Sequence, residues 1–304
     1  METLCRLSYW GNGRPGYTPG GRLPKSRAQA NACASWLVDS DRNPVPRQET
    51  ATLRQPAQRH AAGDPPPTDP APRPRYRRAL IAALVAIGIG LVGMVALWVS
   101  TPSGSLAADM VSQLLAREHA KALTSLPNPD RVGQALIATE DSRFYSHQGI
   151  DARGAVRALV YPLIGRDGGG STLDQQLAKL AYRPLPGGLL GKAQTALLGV
   201  KIDASYSKSQ ILLMYENSAY FGHGFFGLQE ASEGYFGVNP SQLTWAQASL
   251  LAGLVQAPTR FDPLVHLDAA RVRQAHVLNR LVATGVLSRD EAIAAFQEPL
   301  QLRR

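Results

Sequence analysis

The stretch E-D-S-R-F-Y-S-H-Q-G-I-D, Glu140 to Asp151, packs two adjacent carboxylates, an arginine, two aromatics, a histidine and a turn glycine into a short segment. It follows an apolar helical pattern in which Val132, Ala135, Leu136 and Thr139 share one face. Asn128, Pro129 and Asp130 upstream are read as a cap, a first-turn proline and an acid near the positive helix end. Glu140 and Asp141 therefore fall at a helix C-terminus, where the dipole and the neighbouring carboxylate both disfavour further negative charge. A carboxylate so placed is a candidate general base. The plainer reading is a polar loop after a helix, with Arg143 neutralising the acids and His147 structural.

A second stretch, G-G-G-S-T-L-D-Q-Q-L-A-K from Gly168 to Lys179, starts a helix out of a glycine-rich loop, with Thr172 and Gln175 as a capping box. Backbone N–H groups at such a helix start suit phosphate oxygens, and Lys179 adds positive charge. Most glycine-rich loops are ordinary linkers, and this one alone decides nothing.

Together the two stretches resemble the first two motifs of the peptidoglycan glycosyltransferases, carbohydrate-active family 51. These are the monofunctional transglycosylases and the N-terminal halves of bifunctional penicillin-binding proteins. Glu140, Asp141, Phe144, His147 and Gly149 match the pattern E-D-x-x-F-x-x-H-x-G. Gly169, Ser171, Thr172, Gln175, Gln176, Leu177 and Lys179 match G-x-S-T-x-T-Q-Q-L-x-K, with Asp174 where the pattern has threonine. The resemblance continues through Tyr206 to Asn217 and Tyr235 to Gly237, and ends near Arg273, Val277 and Leu278.

The family's third motif, R-K-x-x-E, is only partly present. Lys192 matches its lysine, but Gly191 replaces the arginine and Thr195 the second glutamate. The resemblance implies polymerisation of lipid II into glycan strands with inversion and release of undecaprenyl diphosphate. Glu140 would be the catalytic base. Asp141, Phe144, His147, Ser171, Thr172, Gln176, Lys179 and Lys192 would be substrate-binding residues, and Mg²⁺ or Mn²⁺ would bind through the substrate diphosphate rather than through protein ligands. Losing the second glutamate and the arginine should cost rate, one electrostatic contact commonly being worth about 10²- to 10³-fold. Asp174 is the candidate compensating acid, although an acid in a first helical turn is ordinarily a dipole partner.

Composition divides the chain. Residues 1–78 hold 13 Lys and Arg against 6 Asp and Glu, so they carry +7 of the total +9, and 12 of the 22 prolines lie within the first 74 residues. This tail reads as disordered, basic and cytoplasmic, with no nucleic-acid-binding motif. Residues 79–99 contain no charge and are long enough for a transmembrane helix. Arg73, Arg75, Arg77 and Arg78 precede this segment and no basic residue follows until Arg117, which places the N-terminus in the cytoplasm and residues 105–304 outside. The expected setting is the bacterial cytoplasmic membrane, with lipid II, the growing strand and other cell-wall synthesis proteins as partners and no nucleic acid. Cys5 and Cys33 both lie in the tail, which leaves the exported domain to rely on its core.

The domain at 105–304 reads as mostly α. Capping boxes at Ser207 to Gln210, Thr244 to Gln247 and Ser288 to Glu291 open helices, and no strand pattern of useful length occurs. The resemblance implies a lysozyme-like fold. Val156, Leu159, Val160, Leu163 and Ile164 read as a core stripe or, by the resemblance, as a membrane-leaning face; Phe225 and Phe226 carry the same two readings, with core packing favoured. Because the sequence ends at Arg304, a monofunctional enzyme is expected. Two rivals remain: a degenerate relative that binds lipid II or cell-wall proteins without turnover, favoured by Gly191 and Thr195, and a lysozyme-type hydrolase, which the fold allows but for which no motif marks a general acid.

Overall fold

The computed structural model describes residues 76–161 and 170–303. The basic tail, Arg73 and Arg75 included, and Leu163, Ile164, Gly168 and Gly169 lie outside the described residues. Helix α1, Tyr76–Ser100, carries the uncharged segment and is long and apolar enough to cross a membrane. Its apolar side chains are exposed along its length, as a lipid-facing helix requires.

The residues from Leu97 onward form a compact helical unit of their own. It comprises α2 (Ala107–Arg117), α3 (Arg131–Glu140), α4 (Ala152–Val160), α5 (Leu173–Ala181), α6 (Gly188–Ser205), α7 (Lys208–Ser218), α8 (Leu228–Phe236), α9 (Trp245–Leu254), α10 (Leu267–Ala283) and α11 (Arg289–Gln297). No strand forms among the described residues; one isolated antiparallel bridge joins Tyr220 to Phe226.

The helices pack in two groups. In one, α9 packs on α3, α10 and α11; in the other, α5 packs on α6 and α7, with α2 closing over α5 and α7. The central helix α9 is buried at every position from Ala246 to Leu254, so it has no polar face. Each of Leu250, Leu251 and Leu254 is wholly buried, worth roughly 1.5–3 kcal/mol. The capping boxes expected at Ser207, Thr244 and Ser288 all form, because each depends only on residues three apart.

Three local expectations change. The cap of α3 is Asp130, two residues beyond Asn128, and its carboxylate accepts from the Gly133 N–H at 2.7 Å. At α5 only half a capping box forms: the Thr172 hydroxyl accepts from Gln175 N–H and donates to the Gly149 carbonyl at 2.8 Å. On α4, Val156 is 60% exposed, which takes it out of the core. Phe225 packs on the core, edge-on to Tyr235, whereas Phe226 is half-buried against the half-buried Tyr220.

Candidate active site

A cleft of about 430 Å³ opens where the two groups of helices meet. The end of α3 supplies Thr139 and Glu140, the start of α5 supplies Thr172 and Gln176, and one stripe of α10 supplies Arg273, His276 and Arg280. Arg143, Asp151, Arg157 and Ser171 complete much of the rim.

Glu140 is the last residue of α3, and both of its oxygens are held. Arg273 Nη2 donates to Oε1 at 2.9 Å, and Gln176 Nε2 donates to Oε2 at 3.2 Å. Each oxygen keeps a second lone pair for a ligand. Burial draws the Arg273 guanidinium below its ordinary value, against the opposing pull of Glu140.

Asp141 has a different task from its neighbour. Its carboxylate accepts from His147 Nε2–H at 2.9 Å and from the Leu173 N–H, the first of α5, at 2.9 Å. It thereby ties the end of α3 to the start of α5 and fixes the spacing between Glu140 and Gln176. Below it the ring of Phe144 is wholly buried, with the Lys208 ammonium 4.6 Å from its centroid. Gly149 completes this turn at φ +78°, in contact with the Gly199 carbonyl, where a side chain has no room.

Asp174 is wholly buried and does not line the cleft. Lys208 Nζ donates to it at 3.1 Å and also pairs with Asp203. Burial pushes the Asp174 carboxyl up to about 6, against the pull of Lys208. Asp141, His147 and Asp174 lie close enough together to hold an ion by distance alone. All three residues already have a partner: His147 and Asp141 bond each other, and Lys208 bonds Asp174.

Of the residues singled out in the sequence, Glu140, Asp141, Ser171, Thr172 and Gln176 meet at the cleft. Phe144, His147 and Asp174 form the layer supporting it. Lys179 and Lys192 are exposed and are not among its lining residues. Thr195 is buried and donates to the Gly191 carbonyl at 2.7 Å. Gly191 is itself locked, since a Cβ there would lie 1.7 Å from the Pro186 carbonyl oxygen. The positive charge of the cleft comes instead from Arg143, Arg157, Arg273 and Arg280.

Arg143 also pairs with Asp151, the cap of α4, and holds that carboxyl below the usual range. Burial, with Arg273 and Arg280 alongside, lowers His276 to about 4, so this imidazole is neutral at pH 7. Arg273 falls where the resemblance ends, but His276 and Arg280 carry no motif signal; the three recur at i, i+3 and i+7 on one face.

The Glu140 carboxylate beside these guanidinium groups makes a cleft suited to an anionic ligand, with one group able to take up a proton. The family model for Transglycosylase matches residues 108–282. The chain is 38% identical to penicillin-binding protein 1A of Neisseria flavescens over 178 residues, 58% of this chain and 22% of that protein. It is 41% identical to penicillin-binding protein 2a of Streptococcus pneumoniae serotype 2 over 163 residues, 54% of this chain and 22% of that one. A Cupriavidus necator protein described as a transglycosylase is 39% identical over 176 residues, 58% of this chain and 76% of its own length. The chain thus spans under a quarter of the two penicillin-binding proteins. It belongs to the transglycosylase family, the peptidoglycan glycosyltransferases of carbohydrate-active family 51, and has their lysozyme-like fold.

Proposed function

We propose that this chain polymerises lipid II into glycan strands at the outer face of a bacterial cytoplasmic membrane. The observation that carries the reading is the Glu140 carboxylate, held by Arg273 and Gln176 and facing a cleft rimmed by arginines. In the reaction the acceptor's 4-hydroxyl oxygen bonds to the donor's anomeric carbon with inversion. The bond from that carbon to the diphosphate oxygen breaks, and the hydroxyl proton passes to Glu140. Charge growing on the departing undecaprenyl diphosphate meets Arg143, Arg157 and Arg280, guanidinium groups that suit phosphate oxygens. These arginines take the part that Lys179 and Lys192 were expected to play.

Mg²⁺ or Mn²⁺ would enter with the substrate, adding positive charge on its diphosphate. Each cleft carboxylate already has a cation or a set of N–H donors: Glu140 has Arg273, Asp141 has His147 and Leu173 N–H, and Asp151 has Arg143. The described residues therefore do not fit a protein-held ion, and no step runs through one. Helix α1 would keep the enzyme beside lipid substrates, with its N-terminus in the cytoplasm and the helical unit outside, where other wall-synthesis proteins act.

The test is purified full-length protein with labelled lipid II and Mg²⁺, beside Glu140→Gln, read on a gel. Polymer from the wild type and none from the variant is the expected result. No polymer from either, with lipid II still bound, would replace this reading with binding without turnover, the outcome to which Thr195 points. Release of muropeptides from sacculi would instead identify a hydrolase.

A further inference from the structure

We propose that Tyr215, which does not line the cleft, is a positioning residue for Glu140 and acts through Gln176. The inference rests on the reaction proposed above and adds a residue to its machinery. Tyr215 lies on α7 and is 2% exposed, and its hydroxyl donates to Gln176 Oε1 at 2.9 Å. The other end of the same amide, Nε2, donates to Glu140 Oε2 at 3.2 Å.

The two ends of this relay fix its direction. A carboxylate only accepts, so the amide must turn its NH₂ towards Glu140 and its carbonyl towards the phenol. Burial, with Glu140 beyond, pushes the ionisation of Tyr215 far above its ordinary value, so the phenol keeps its proton and donates. A half-turn of the Gln176 amide would aim a carbonyl oxygen at the carboxylate, and the Tyr215 hydroxyl opposes that turn. Among the described residues no other group donates to Gln176 Oε1. Arg273, from α10, holds the other carboxylate oxygen. Glu140 is thus held from both groups of helices, and Tyr215 secures one of the two tethers.

The experiment compares full-length wild type, Tyr215→Phe, Gln176→Ala and the double variant for lipid II turnover. Tyr215→Phe should lower kcat about tenfold with KM unchanged, the scale of one hydrogen bond. The double variant should match Gln176→Ala alone, because the phenol has nothing left to act through. Wild-type kcat in Tyr215→Phe, a change confined to KM, or multiplicative losses in the double variant would each overturn the proposal. A second readout needs no turnover: NMR of the Gln176 side-chain amide should show solvent exchange of Nε2–H at least tenfold faster in Tyr215→Phe. Unchanged exchange would overturn the relay, whereas a wild type that makes no polymer would overturn the proposed reaction and leave the exchange result to decide the relay.

Discussion

His276 sits between Arg273 and Arg280 in the cleft, and its burial beside them lowers it to about 4 from 6.5. Acidification from pH 7 to pH 4 should therefore expose a defined stability loss. In the unfolded chain the imidazole takes up its proton as pH falls through about 6.5, but in the folded protein not until about 4. The unfolded state binds more protons within that window, so stability contributed at neutral pH drains away as pH falls through it and is level below. At about 1.36 kcal/mol per unit, this gap has a ceiling of about 3 kcal/mol, and solvent reaching the cleft reduces it to about 1–2 kcal/mol. Buried carboxylates also titrate in acid, so the quantity to measure is the difference between wild type and His276→Gln, followed by urea unfolding of full-length protein in detergent at pH 7, 6, 5 and 4. The variant, which cannot titrate here, should gain on the wild type by that amount between pH 7 and pH 4. A constant difference across the series would refute the argument, and a difference of opposite sign would mean that the imidazole is charged in the folded protein.

Two further outcomes concern stability. Glu216 is wholly buried on α7, neither of its oxygens makes a hydrogen bond of regular geometry, and burial, with the Asp130 carboxyl beside it, raises it well above the ordinary carboxyl value. Above about pH 4.5 the unfolded chain releases this proton first, so the group costs stability at neutral pH, and Glu216→Leu should raise stability by about 1–3 kcal/mol in urea unfolding at pH 7; a loss would contradict it. Gly191→Ala drives a Cβ against the Pro186 carbonyl and should lower Tm by several degrees, whereas Gly187→Ala, with nothing within 4 Å, should leave Tm within about a degree or two.

What the sequence disclosed was mostly local. Ser207, Thr244 and Ser288 each find their capping partner three residues on, so the helix starts were legible without knowledge of packing. Glu140 was legible because its placement at a helix end follows from one apolar stripe. Its partner Arg273 lies 133 positions away, and no local pattern encodes that pairing. Glu216 was readable in principle: it stands four residues after Leu212, on the apolar face of α7, where a carboxylate is out of place. Asp174 looked like a site acid because it follows a glycine-rich loop, but Lys208, from the next helix group member α7, claims it in the interior.

The close approach of Gly191 to Pro186 also bears on which residues positions 191 and 195 can hold. An arginine cannot enter position 191 while the Pro186 carbonyl occupies the space of its Cβ. The turn before α6 has to move first, and that movement alone supplies the cleft with no new charge. A glutamate at 195 would likewise displace a buried hydroxyl bonded to the Gly191 carbonyl. A larger side chain at position 191 is therefore compatible with this fold only together with a shift of the turn before α6, so the two places are constrained as a pair.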